Sequence, residues 1–221
     1  MIELKELSKN YRNTVILEKC NSVFEDGRIS FIMGKNGCGK TTLIKCMCDL
    51  ESFSGDILFD GRKLDTDTRK SFLTVWDDCT FYQNLSGIDN LMLLDDEHNK
   101  HNKEDIKQIA LNYLSPEKLK KKVGRYSYGQ KKLLSLALVE LMHPKILIMD
   151  EITNGLDYSA LKRLKVRIKE WKKDSLIILT GHNLDFYTAV ADDLFILKDQ
   201  KIVKSEKSDK NFGDIYDKEF S

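Results

Sequence analysis

The chain has 221 residues, 41% hydrophobic and 32% charged, with 36 Lys plus Arg against 35 Asp plus Glu for a net charge of +1. That length encloses one large α/β core or two small ones, the composition is globular and not disordered, and the balanced charge gives no electrostatic footprint for nucleic acid. No stretch reaches the roughly 18 unbroken apolar residues of a membrane span, and the start MIELKELSKNY alternates apolar and charged residues without a signal-peptide core. A cytoplasmic chain without direct membrane insertion is expected.

In chain order, IELKEL alternates as a strand does, TVILEKCNSVF carries β-branched and aromatic residues into an Asp26-Gly27 turn, and RISFIMG is a short apolar strand. TTLIKCMCDL has helical spacing, and GDILFDGRKL reads as a hairpin turning at Asp60-Gly61. From Asp77 to about Lys122 the composition changes: SGIDNLMLLDD, KEDIKQIALNYL and SPEKLKKKV are helical and rich in surface charge. Ser115 before Pro116 marks a helix start there, although Lys118 stands where a full capping box has Glu or Gln. QKKLLSLALVELM is a long helix. KILIMDE and SLIILT are apolar runs typical of buried parallel strands, with the helix SALKRLKVRIKEW between them. DDLFILKDQKIVKSE reads as a second hairpin, and the tail after Ser205 is polar and carries no signal.

Strands alternating with helices predict an α/β fold with a mostly parallel sheet covered on both faces. The division expected is an α/β core over 1–76 and 136–221, with an antiparallel β part near its start, and an inserted helical subdomain over 77–135. Cys20, Cys38, Cys46, Cys48 and Cys79 are odd in number and lack paired metal spacing. Cys46 and Cys48 would stand roughly 200° apart around a helix, so free thiols are the reading.

The stretch GKNGCGKTT, Gly34 to Thr42, carries the pattern G-x-x-x-x-G-K-[ST] between a predicted strand and a predicted helix. A random chain of this length would carry that pattern with a probability on the order of 1%. Its glycines let successive backbone N–H groups of Gly34, Lys35, Asn36, Gly37, Cys38 and Gly39 face a phosphate chain at a helix N-terminus. Lys40 is placed to reach the β- and γ-phosphates, the Thr41 hydroxyl to face Mg²⁺, and Thr42 completes the loop. The second half is ILIMDE, a buried strand ending in two carboxylates at the edge where α/β ligands bind. Asp150 is the expected Mg²⁺ ligand, through water, and Glu151 the expected general base.

GRYSYGQKK poses a different question. Ser127, Gly129 and Gln130 crowd a helix start far along the chain from any phosphate. With the two stretches above, it brings out a resemblance that covers nearly the whole length: the chain looks like the nucleotide-binding domain of an ABC ATPase. YSYGQ is similar to that family's LSGGQ-type motif, TNGLD ending in Asp157 to its D-loop, and His182 in LTGHNLD to its switch histidine. Tyr11, 23 residues before Gly34, stands where the family stacks an aromatic on adenine.

The resemblance implies two such subunits, identical or related, stacked head to tail around two ATP molecules. Each ATP would sit on one subunit's phosphate loop and under the other's Ser127–Gln130. It implies that His182 holds the γ-phosphate and the attacking water while Glu151 polarises that water. The partner expected is a separate transmembrane transporter subunit, which would hold the chain at the inner face of the cell membrane. Because the chain ends just after the core, an exporter or ABC-2-like system is favoured over sugar-importer types. The alternative is a soluble ABC ATPase for assembly or remodelling, such as Fe–S cluster biogenesis. One departure stands out. Asp77 occupies the junction position where the family has a Mg²⁺-sensing glutamine; Gln83 comes six residues later. An aspartate there can still offer Mg²⁺ an oxygen, so Asp77 joins Thr41 and Asp150 as an expected metal residue.

Overall fold

The computed structural model describes residues 1–96, 101–206 and 211–220. Strand β1 (Ile2–Tyr11) pairs antiparallel with β2 (Thr14–Phe24). Its apolar phase runs Ile2, Leu4, then Leu7, because the register shifts between Leu4 and Leu7 and Glu6 sits at φ 50°. A bulge of this kind inserts one residue and keeps the core side apolar on both sides of it. Strand β3 (Ile29–Met33), buried at every position, leads into helix α1 (Lys40–Met47). Strands β4 (Ser54–Phe59) and β5 (Arg62–Lys63) form the hairpin expected at Asp60-Gly61, both turn residues having positive φ as a two-residue turn requires.

Helix α2 (Thr66–Lys70) and strand β6 (Phe72–Val75) follow, then α3 (Gly87–Asp96), α4 (Lys103–Leu111) and α5 (Pro116–Leu119). The last is shorter than its sequence pattern and gives way to a 3₁₀ turn at Val123–Arg125. Ser115 stands at its N-cap position without a side-chain cap bond, so Pro116 alone marks that start. Helix α6 (Tyr128–Met142) begins two residues before the predicted Gln130, because Ser127 and Gln130 form a reciprocal capping box. Strand β7 (Ile146–Met149), α7 (Tyr158–Trp171), β8 (Leu176–Thr180), α8 (Leu184–Thr188), β9 (Asp193–Lys198), β10 (Lys201–Lys204) and α9 (Phe212–Phe220) complete the order.

Two sheets result. The antiparallel one runs β2-β1-β4-β5; the other runs β10-β9-β3-β8-β7-β6, parallel except for β10. Alternate residues of the parallel strands enter different cores. Phe31, Met33, Leu147, Met149, Ile177 and Leu179 face the side of α7, α8 and α9. Ile32, Ile146, Ile148 and Ile178 face α1 and the antiparallel sheet through Leu4, Leu17 and Phe24. Double-sided burial is why these strands read as unbroken apolar runs. A third core lies among the helices, and α6 belongs to two of them. Leu134, Ala137, Leu138 and Leu141 meet Leu91, Ile106 and Leu119, while Leu136 and Val139 join the parallel sheet.

The tail differs from its sequence reading. Within 211–220 it forms α9, which buries Phe212, Ile215 and Phe220, with the Phe212 ring stacked 5.6 Å from Phe31. Its apolar positions i, i+3 and i+8 follow a helical period that a polar composition hid. Strand β6 carried no sequence signal because it is a four-residue edge strand. The five cysteines are free, and Cys20, Cys46 and Cys79 are buried.

Candidate functional site

The loop from Gly34 to Gly39 joins the end of β3 to the start of α1. Gly39 caps the helix at φ 111°, a conformation that an L side chain rarely adopts, and an added Cβ would meet Ile16 at 2.8 Å. A Cβ on Gly34 would meet the Cys38 sulfur at 2.5 Å, so Cys38 fills the space under the first glycine. Burial pushes the Cys38 thiol pKa up, which leaves it a filler and not a reactive thiolate. Lys35, Asn36 and Gly37 are exposed at the loop tip. Lys40 is buried, and its ammonium donates to the carbonyls of Gly34 at 2.8 Å and Lys35 at 3.1 Å. A cation held by its own loop in this way is fixed at the start of α1, within the phosphate-loop motif.

The Thr41 hydroxyl donates to Asp150 Oδ2 at 2.9 Å. Asp150 is buried at the end of β7; its Oδ1 accepts from Thr180 at the end of β8, and its N–H donates to Val75 O at 2.8 Å. Thr180, which sequence reasoning missed, therefore orients this carboxylate. Two oxygen ligands, one anionic, facing each other at the mouth of the loop fit a hard divalent cation such as Mg²⁺.

Glu151 turns the chain sharply at φ 53°, and its N–H donates to Thr180 O at 3.2 Å. Left-handed backbone at a non-glycine costs of order 1–3 kcal/mol and persists only where the surroundings enforce it. The turn brings Glu151 Oε1 to 3.2 Å from His182 Nε2. Burial raises the Glu151 pKa, Asp150 and Asp77 add to the rise, and His182 and Lys40 oppose it.

Tyr11 ends β1 and is partly exposed; Lys9 Nζ lies 4.5 Å from its ring centroid, and its hydroxyl interacts with Glu51 and with Thr42 of the loop. The sequence-predicted aromatic is thus beside the phosphate loop. Asp157 caps α7, its Oδ1 accepting from Ala160 N at 2.8 Å. At the start of α6 the Ser127 hydroxyl accepts from Gln130 N at 3.3 Å, and the Gln130 side chain accepts from Ser127 N at 3.2 Å. Among the described residues no hydrogen bond or ion pair joins 127–130 to 34–42, whereas Gly129 packs directly on Gly155 of the loop after Glu151.

Asp77 lies beside this second group. Its Oδ1 accepts from the Tyr128 hydroxyl, is 3.5 Å from Lys132 Nζ and 3.4 Å from Asn154 Nδ2. Tyr128, Lys132 and Asn154 were not singled out by sequence. The available signal was Tyr128 standing in a motif position where the resembling family has glycine. Gln83 also touches this segment, its Oε1 accepting from Lys131 Nζ at 3.3 Å.

A glycine loop between strand and helix, facing a strand-end carboxylate across a parallel sheet, defines an α/β protein of the P-loop nucleotide-binding class. The chain belongs to the ABC transporter family, whose sequence model matches residues 17–154. It is 30% identical over 222 residues to the uncharacterized ABC transporter ATP-binding protein YhcH of Bacillus subtilis, covering 96% of this chain and 73% of that one. It is 29% identical over 212 residues to the lantibiotic transport ATP-binding protein SrtF of Streptococcus pyogenes, covering 95% and 92%. A solved ATP-binding subunit of an ABC transporter shares the fold with a TM-score of 0.88 at 24% identity, over 99% of this chain and 98% of that one. No helix among the described residues is long and apolar enough to cross a membrane.

Proposed function

We propose that this chain hydrolyses ATP as the motor subunit of a transporter whose membrane-spanning part is a separate chain. The observation that carries this reading is the meeting of Thr41 with Asp150 at 2.9 Å and of Glu151 with His182 at 3.2 Å at the same end of the parallel sheet. The loop N–H groups and Lys40 bind the triphosphate, and Tyr11 takes the adenine. Thr41 and Asp150 would hold Mg²⁺, which supplies charge neutralisation at the phosphates. Glu151 accepts a proton from the attacking water, and His182 holds that water and the γ-phosphate in line.

Ser127 and Gln130 bond to each other, and among the described residues no hydrogen bond or ion pair ties them or Gly129 to their own chain's phosphate loop. That supports a head-to-tail pair in which they close the partner's site, with ATP favouring the closed state. Asp157 lies on the same loop as the Gly129 contact and belongs to that seam. The transport role is supported by the likeness to SrtF, and the chain would sit at the cytoplasmic face through its membrane partner. The finer reading is an exporter or ABC-2-like system.

Phosphate release from ATP by the purified chain, with and without the membrane protein that co-purifies from native membranes, tests this reading. Release that depends on Mg²⁺ and rises with that protein supports it. No release, or no membrane protein in the complex, overturns it.

A further inference from the structure

Lys132 is the one lysine among the described residues with no side-chain exposure at all, and it sits one turn into α6, just after the Ser127–Gln130 motif. A buried ammonium needs an anion and carbonyl acceptors. Its acceptors are Trp76 O at 3.2 Å and Asp150 O at 3.5 Å, and its anion is Asp77 at 3.5 Å. A neutral glutamine at position 77 would leave that charge without a counter-ion, so the charge at 77 and the lysine at 132 account for each other.

Tyr128 completes the arrangement. Its hydroxyl donates to the same Asp77 oxygen, its ring lies under Lys132 Nζ at 5.3 Å, and burial followed by the Asp77 bond raises its pKa so that it stays a donor. The ring is also pressed against the loop after Glu151. A Cβ added to Gly155, at φ 74°, would meet Tyr128 Cδ1 at 2.4 Å, and one added to Gly129 would meet Gly155 O at 2.3 Å. Asn154 bridges Asp77 Oδ1 at 3.4 Å and Glu151 Oε2 at 3.5 Å. Helix start, junction carboxylate and hydrolytic loop are therefore one bonded unit.

We propose that Tyr128, Asp77 and Lys132 form an intramolecular clamp that locks the Ser127–Gln130 helix start to the Glu151–Asp157 loop of the same chain. Asp77 then serves as the counter-ion of Lys132 and the acceptor of Tyr128, not as a ligand of Mg²⁺. All three are positioning residues: they act through Asn154 and the loop backbone on Glu151. The proposal rests on the hydrolytic reading of Glu151 given above.

The test compares Tyr128→Phe and Asp77→Asn with the wild type in two assays. In nucleotide-free protein, amide hydrogen exchange over residues 128–133 should speed up by about tenfold or more in Tyr128→Phe, the scale of losing one hydrogen bond to a charged group. In steady-state hydrolysis, kcat should fall by about tenfold with the KM for ATP within about twofold, the pattern of a lost transition-state interaction. The Mg²⁺ concentration for half-maximal ATP binding should stay within about twofold in Asp77→Asn, since binding that does not use residue 77 is not linked to it. Unchanged exchange in Tyr128→Phe, an unchanged kcat, or a Mg²⁺ requirement raised about tenfold or more in Asp77→Asn would overturn the clamp.

If Asp77→Asn does not fold, the pair Asp77→Asn with Lys132→Met decides the point: removing both charges should restore a folded protein, and failure to do so counts against the pairing. Absence of hydrolysis by the wild type would sink the hydrolytic reading instead, while the nucleotide-free exchange would still decide for or against the clamp.

Discussion

The Thr41 hydroxyl donates to Asp150 Oδ2 at 2.9 Å, joining two residues 109 positions apart at the mouth of the phosphate loop. Each side of that contact is held independently: Thr41 by the first turn of α1, Asp150 by Thr180 and by its own N–H to Val75. A divalent cation entering here meets a preorganised pair of oxygens.

Lys40→Ala removes the cation that braces the loop through Gly34 O and Lys35 O. Charge-assisted hydrogen bonds of this type contribute about 1.5–3 kcal/mol each. ATP affinity should fall by at least about tenfold, measured by equilibrium titration with a fluorescent ATP analogue.

Glu151→Gln keeps the shape of the side chain and removes its capacity as a base. The variant should bind ATP, release phosphate at under about 1% of the wild-type rate, and elute as an ATP-dependent dimer from a sizing column. A monomer with ATP bound would count against the head-to-tail pair.

Ser127→Arg places a bulky cation at the exposed helix start and removes the acceptor for Gln130 N. Loss of the cap alone costs about 0.5–2 kcal/mol. Nucleotide binding to the isolated chain should survive while dimerisation and hydrolysis are lost. Ser127→Thr, which retains the cap, separates the two effects in the same assays.

Phe212→Ala empties a site in which the ring is buried and stacked on Phe31, itself stacked 4.2 Å from Tyr187. Large-to-small changes of this kind cost about 3–5 kcal/mol. Urea unfolding should report the loss, and limited proteolysis should cut first in the tail.

Asp193, buried at the start of β9, accepts from Arg28 at 2.5 and 2.7 Å and pairs with Lys204 at 3.0 Å. Burial pushes its pKa up, but the Arg28 and Lys204 bonds outweigh burial, and the native value is lowered from 3.8. The stabilisation is complete above that unfolded value and is lost as the pH falls through the lower native one. Asp193→Asn should cost about 1–2 kcal/mol at neutral pH, reduced by the exposure of both cations, and should flatten the acid limb of a pH–melting curve.

Much of the site was legible because its motifs are local. GKNGCGKTT specifies a turn and a helix start within nine residues, and ILIMDE a buried strand with its polar end. Less was legible where a residue's role depends on a distant neighbour. Thr180 acquires its role only when Asp150 lies beside it, and Lys132 only when Asp77 and two backbone carbonyls surround it. Strand β6 pairs only through β7, and α9 hides three buried side chains in a polar tail. Asp77 was assigned to Mg²⁺ by its alignment alone, and its surroundings supply Tyr128, Lys132 and Asn154 as partners.

By itself the amino-acid order determined most of the element types, the P-loop and the family, because helical and strand periods, glycine turns and short motifs are properties of neighbours along the chain. Only the tertiary structure decided which segments meet: Thr41 with Asp150, Glu151 with His182, Asp77 with Tyr128 and the buried Lys132. Those pairings follow from burial of both faces of the parallel sheet and from the sharing of α6 between two cores. Packing brings residues together regardless of their separation in sequence, and a buried charge finds its role only when its counter-ion is in place.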